Sequence, residues 1–224
     1  MTILQKLRGP GETGGAARLC EVGAEVVGTS GAGVMLMADG VAGGSPCSSD
    51  AVSATLEELQ FTLGEGPCID AHRLGFPVLE PDLKNPDNKR WIGFAPAALA
   101  AGARAIFGFP IRLGSIRLGA LNLYCDGAGS LTDDQHAVAL VMADVVARAV
   151  LAMQAGAPAG TLSTEIEQGA DRLFVVHQAS GMVSAQIGVS VGEALLRLRA
   201  HAFAGEQPLS KVASNVIAGR LRFG

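Results

Sequence analysis

The stretch Ala155-Gly156-Ala157-Pro158-Ala159-Gly160 constrains this chain more than any other. A proline with two glycines so close cannot carry a helix through, so one folded unit is expected on either side of it. The two sides differ in texture. Ahead of it, short apolar runs alternate with helix-period segments. Behind it, only the helical period is present.

On the N-terminal side, Leu19, Val22, Val26 and Val27 sit at helical spacing, with a stop near Gly28. Val34-Met35-Leu36-Met37 reads as a strand, Asp39-Gly40 as a tight hairpin turn, and Val41 to Ser48 as the return strand. Residues 51–61 form a helix pattern, with Val52, Leu56, Leu59 and Phe61 on one face. Leu63-Gly64-Glu65-Gly66-Pro67-Cys68 breaks that pattern, because two glycines and a proline demand special backbone geometry. A tight turn from helix to strand is expected there. The rim of a ligand pocket is the functional alternative, and the spacing fits neither the P-loop nor the dinucleotide fingerprint. Pro77 to Glu80 is a short strand, Asp82 to Asn88 a polar loop, and Arg90 to Ala101 a helix. Ala105–Leu113 and Ile116–Tyr124 make the best strand pair, joined by Gly114-Ser115, with Arg112 and Arg117 facing solvent. Thr132-Asp133-Asp134-Gln135 is a capping box that opens a long helix to Gln154. Val138, Val141, Val145 and Leu151 on it are a candidate dimer seam. Hairpins between helices predict an α+β unit with an antiparallel sheet.

The tail carries two more capping boxes, Thr164-Glu165-Ile166-Glu167 and Ser190-Val191-Gly192-Glu193. The first helix bears Ile166, Ala170, Leu173, Phe174, Val176 and Val183, and stops at Gly188. The second bears Ala194, Leu195, Leu198, Ala202 and Phe203, and stops at Gly205. Pro208, at a first-turn position, opens a third with Leu209, Val212, Val216, Ile217 and Leu221. Three helices of this kind can close around one core, in which Phe174 and Phe203 take part. Gly181 sits mid-helix, where glycine costs roughly 1 kcal/mol relative to alanine. It is read as a point of close approach by a helix or by RNA.

Composition narrows the function. Apolar residues make up 49% and charged residues 17%, which is a globular composition. The formal charge is −4, against the basic balance of a chain that coats nucleic acid. The tail escapes that acidity: from Thr161 onward it has six Lys or Arg against five Asp or Glu. Cys20, Cys47, Cys68 and Cys125 are far apart with no CxxC pair, and are read as buried reduced thiols of a cytosolic chain. A thiol enzyme would need an accessible Cys68 with Cys47 as resolving partner. His72, read as a surface residue, and His136 lie in different elements, with no partner set for a triad or a metal. No leader and no membrane span are expected, so the expected location is cytoplasmic.

Three segments of the tail carry a family resemblance: Ala179-Ser180-Gly181-Met182-Val183, then Glu193-Ala194-Leu195-Leu196-Arg197-Leu198-Arg199, then Val212-Ala213. Residues 164–221 resemble the ANTAR domain, an RNA-binding module of bacterial transcription antiterminators. Many ANTAR domains place a Lys before the glycine, which Gln178-Ala179-Ser180-Gly181 lacks. Leu59 to Cys68, Arg90-Trp91 and Gly119 to Tyr124 are similar to segments of GAF domains. The whole is similar to the GAF–ANTAR antitermination regulators of actinobacteria. That resemblance implies a GAF sensor over 15–155, with a six-stranded antiparallel sheet flanked by helices, and a three-helix ANTAR domain over 161–224. It implies a signal-responsive, non-enzymatic regulator that binds RNA hairpins, acts as a homodimer and holds no metal. GAF relatives bind cyclic nucleotides, chromophores, haem or other small molecules; the sequence names no ligand or cofactor here. Candidate RNA-binding residues are Arg172, His177, Gln178, Ser180, Arg197, Arg199 and Lys211. Arg197 and Arg199 cannot share a helix face at i, i+2, so one of them is expected to be structural. Lys211 begins a helix, where the dipole gives a lysine no reason to be, and is expected to be functional. Two alternatives compete. A DNA-binding helix-turn-helix would start its recognition helix with Val191-Gly192-Glu193, poor material for reading base edges. The other is a thiol enzyme resembling free methionine sulfoxide reductases.

Overall fold

A computed structural model describes residues 15–38, 41–85, 90–156 and 164–224. The Asp39-Gly40 turn and parts of the expected polar loop and linker lie outside the described residues. Strands β1 (Gly31–Ala38), β2 (Val41–Ser48), β3 (Val78–Glu80), β4 (Ala105–Leu113) and β5 (Ile116–Cys125) form one antiparallel sheet. Their order is β2-β1-β5-β4-β3. The sheet thus has five strands among the described residues, where the family resemblance implies six.

Alternation along the strands sends successive side chains to opposite faces. On one face α1 (Gly15–Val27) and α5 (Asp133–Gly156) pack Leu19, Met142, Val146 and Val150 on Val34, Phe107, Phe109, Leu121 and Leu123. On the other, α2 (Ala51–Leu63), α3 (Pro67–Leu74) and α4 (Phe94–Ala101) bring Leu56, Phe61, Cys68 and Phe94 to Met35, Ile106, Ala120 and Tyr124. Two glycines permit this second layer. A Cβ at Gly33 would collide with Glu57 of α2, and one at Gly108 with the Pro67 carbonyl of α3.

The tail is three helices: α6 (Thr164–Ile187), α7 (Val191–Ala204) and α8 (Leu209–Ile217). Val176, Ala179, Val183, Ala194, Leu198, Leu209, Val212 and Val216 are buried among them. Helix α6 lies beside the edge strand β2 and α7 beside α2, so the apolar core is continuous from the sheet into the tail. Covering an edge strand removes a template for unwanted pairing.

Several expectations are corrected. Leu63 to Cys68 turns from helix to helix: Gly64 caps α2 at φ 65, and Pro67 takes the first position of α3, which contains Cys68. Helix α4 begins at Phe94, not Arg90, because Trp91 is left-handed at φ 57. Pro208 precedes α8 with ψ 137 and does not enter it. Phe174 is 69% exposed and Phe203 48%, so neither belongs to the tail core. Gly181 faces open space, and among the described residues nothing packs against it. His72 is half-buried, and its Nδ1 has no hydrogen-bond partner.

Cys20 and Cys47 are joined in a disulfide, not held as free thiols, with Cα atoms 5.9 Å apart. Fixed spacing in sequence could not reveal this, since α1 meets β2 only once the sheet has formed. The bond closes a loop across 27 positions. Opening it by Cys20→Ser, or by reductant, is expected to cost about 2–4 kcal/mol. Urea titrations with and without reductant check this: the parent loses stability on reduction and the variant does not respond.

Candidate functional site

A polar cluster lies under α2 at the middle of the sheet. In the register, Asn122 of β5 sits between Gly33 of β1 and Gly108 of β4. Two side-chain-free neighbours make a shallow well with Asn122 at its base. Glu57 of α2 enters that well, and its Oε1 accepts from Asn122 Nδ2 at 2.9 Å. One turn on, Gln60 Oε1 accepts the backbone N–H of Cys68 at 2.8 Å, tying α2 to the start of α3. Glu57, Gln60, Asn122 and Cys68 are all buried. Three polar atoms in this cluster have no hydrogen-bond partner among the described residues: Glu57 Oε2, Gln60 Nε2 and Asn122 Oδ1. Orphaned buried polar atoms are costly and call for water or a small polar ligand.

Burial dominates the electrostatics. It pushes Glu57 from the ordinary 4.5 up to about 8, against the Asn122 hydrogen bond, which pulls the other way. The carboxyl is therefore largely protonated at neutral pH and can donate from Oε2. Burial also pushes the Cys68 thiol well up, with the nearby Glu57 adding to it. A buried, protonated thiol is a poor nucleophile, and Cys47 is already bonded to Cys20. At the rim, Asp50 caps α2 through Ser53 N–H at 2.7 Å and accepts the Tyr124 hydroxyl at 3.1 Å. Glu65 Oε2 accepts the amides of Gly93 and Phe94 at 3.0 and 3.3 Å, capping α4 from the α2–α3 turn. Trp91 donates to Asp70 at 2.9 Å beneath the Arg90 guanidinium.

The candidate RNA contacts fall on different sides of the tail. His177 and Gln178 are exposed on α6. Ser180 is buried and donates back to the Val176 carbonyl, so it faces no partner in this form. Arg197 is half-exposed and pairs with Glu193 at 2.9 Å. Arg199 points the other way and packs against Gly64 of the sheet domain. Lys211 is exposed in the first turn of α8. The Arg172 side chain lies outside the described residues. On the candidate dimer helix, Ala139, Met142 and Val146 face the sheet, while Leu140 and Val141 face outward and Val138, Val145 and Leu151 are half-buried. Sequence reading did not single out Glu57, Gln60 or Asn122. The signal available was the Gly31-Ala32-Gly33 run in a strand, which marks a close approach.

Among the described residues no helix is long and apolar enough to cross a membrane, and no group of three His, Cys, Asp or Glu could hold a metal ion. No family model matches the sequence, and no curated protein matches it significantly. Solved structures do match. The GAF domain of a phosphoenolpyruvate-protein phosphotransferase from Coxiella burnetii is similar at TM-score 0.52 and 16% identity, over 68% of this chain and 90% of that one. The corresponding Acinetobacter domain matches at 0.52 and 10% over the same shares. A domain from a sensor histidine kinase protein of Sinorhizobium meliloti 1021 matches at 0.50 and 14%, over 61% of this chain and 88% of that one. The sheet and its flanking helices thus have the GAF fold.

The Glu57 proton sets a pH dependence. Its folded pKa lies above the unfolded value, so the folded chain holds an extra proton between pH 4.5 and about 8. Stability is full below that window and falls as pH rises through it. Glu57→Gln is expected to remove this slope and to exceed the parent above the window by on the order of a few kcal/mol. Urea titrations at both ends of the window check it; parallel pH profiles for the two proteins would refute it.

Proposed function

We propose that this chain is a non-enzymatic, signal-responsive regulator in which a GAF-fold sensor controls an RNA-binding, ANTAR-like tail acting in transcription antitermination. One observation carries the RNA reading. Phe174, His177, Gln178 and Gly181 fall at i, i+3, i+4 and i+7 on α6, and all four are exposed. An aromatic ring left in water beside two hydrogen-bonding side chains suits splayed, unpaired bases, which proteins hold by stacking and edge contacts. Gly181 completes the stripe with a bare backbone where a partner can come close. Lys211 supplies phosphate charge, and pairing of two chains through the outward face of α5 would double it. The buried Glu57–Asn122 cluster is the part of the sensor best suited to a small polar ligand. An RNA partner implies the cytoplasm, where thiols are kept reduced and the Cys20–Cys47 bond would be a transient, redox-dependent one.

Three variants of the full chain test this. Phe174→Ala is expected to leave the melting temperature unchanged and to cost RNA-hairpin binding about 1–3 kcal/mol if one base stacks there. Gly181→Ala is expected to stabilise the helix by about 0.5–1 kcal/mol while weakening binding. Lys211→Ala is expected to flatten the salt dependence by about 0.7 for a single-strand contact. Gel shifts at several salt concentrations, beside thermal melts, read all three. Parental binding by all three would put the RNA on another face or remove it from the account, as would unchanged binding after deletion of residues 161–224.

A further inference from the structure

Arg199 reaches from α7 to the end of α2 and lays its guanidinium on Gly64, where any added Cβ would collide with it. Its Nε is buried without a hydrogen-bond partner, and among the described residues no carboxylate pairs with it. What faces the charge is the carbonyl end of α2, capped by Gly64 at φ 65. The partial negative charge of a helix C-terminus is weak compensation for a guanidinium half withdrawn from water at its Nε side. Beside the contact the interface is not filled. A groove of about 600 Å³ opens between α2 and the α7–α8 turn, lined by Leu59, Thr62, Ala202 and Phe203 and by the carboxylates Glu58 and Glu206, neither of which pairs with Arg199. This junction is therefore loosely packed, and Arg199 makes no ion pair in it among the described residues.

We infer that the α2–α7 junction is a releasable latch, in which the end of sensor helix α2 and an RNA phosphate compete for Arg199. In the closed form the guanidinium sits on Gly64. In the open form α7 leaves the sensor, and the same group takes a phosphate, the anion that its planar fork fits and that Gly64 lacks. Linkage makes the effect reciprocal: RNA favours release, and any signal that firms the end of α2 opposes RNA. Signal has a short path to this point, because Glu57 and Gln60 of the buried cluster lie on α2 itself, ahead of Gly64. The competition rests on the RNA reading proposed above; the latch itself does not.

Amide hydrogen exchange and hairpin binding of the full chain separate the two. Gly64→Ala puts a methyl against the Arg199 guanidinium without touching the tail's own residues. Gly114→Ala is its control: the backbone is comparably left-handed at φ 59, and among the described residues nothing lies within 4 Å of the added methyl. Gly64→Ala is expected to speed exchange across α7 about tenfold relative to the control, and to bind a fluorescent RNA carrying paired hairpins with randomised loops several-fold more tightly. Arg199→Ala, which removes the charge from both forms, is expected to lose hairpin affinity. Equal α7 exchange in Gly64→Ala and Gly114→Ala overturns the latch. Faster exchange with no gain in hairpin affinity overturns the competition. If the parent and every variant fail to bind hairpins, the RNA reading fails, and exchange alone decides whether the junction releases.

Discussion

The approach of α2 to the sheet is the constraint on which the rest of the structure depends. It is possible only because β1 presents Gly33, and β4 presents Gly108, on the same face as Asn122. With side chains at those positions, α2 and α3 would stand off by the width of a methyl group, and the Glu57–Asn122 hydrogen bond could not form. The close approach buries a carboxyl group, and burial keeps it protonated. A packing decision in two strands is thereby turned into a chemical property of the core. Leaving three polar atoms of the cluster without partners among the described residues weakens the fold locally.

The two faces of the sheet are held in different ways. The α1–α5 face is packed by apolar side chains, with the His136 ring edge-on to Phe109, and is pinned by the Cys20–Cys47 bond to the edge strand β2. The opposite face mixes apolar packing with the buried polar cluster and carries the loops and caps that set α3 and α4. Glu65, in the α2–α3 turn, caps α4 from a distance, so that the first turn of α4 depends on where α2 ends. The end of α2 is also where the tail meets the sheet domain. One helix thus links the buried cluster, a remote cap and the tail junction.

Within the tail, the split between Arg197 and Arg199 shows how little a charged residue's type says about its role. Two positions apart on α7, one lies in water beside Glu193 and the other is pressed into a domain junction. Their opposite directions follow from helix geometry. Their different fates follow from what each direction meets.

The sequence by itself determined most element positions, because hydrophobic period, capping boxes and Gly/Pro punctuation are local. The long α5 helix with its Thr132–Gln135 box, the β4–β5 hairpin and the three tail helices all stand where those signals place them. Family resemblance added the GAF fold. Tertiary structure alone decided the rest: that Cys20 meets Cys47, that Glu57 lies on Asn122, that Phe174 and Phe203 stay in water, and that Arg199 is held on Gly64. Each of these joins residues from elements far apart in the chain, or turns on which helix covers which face. Local period fixes which residues share a face, but only packing fixes what that face meets.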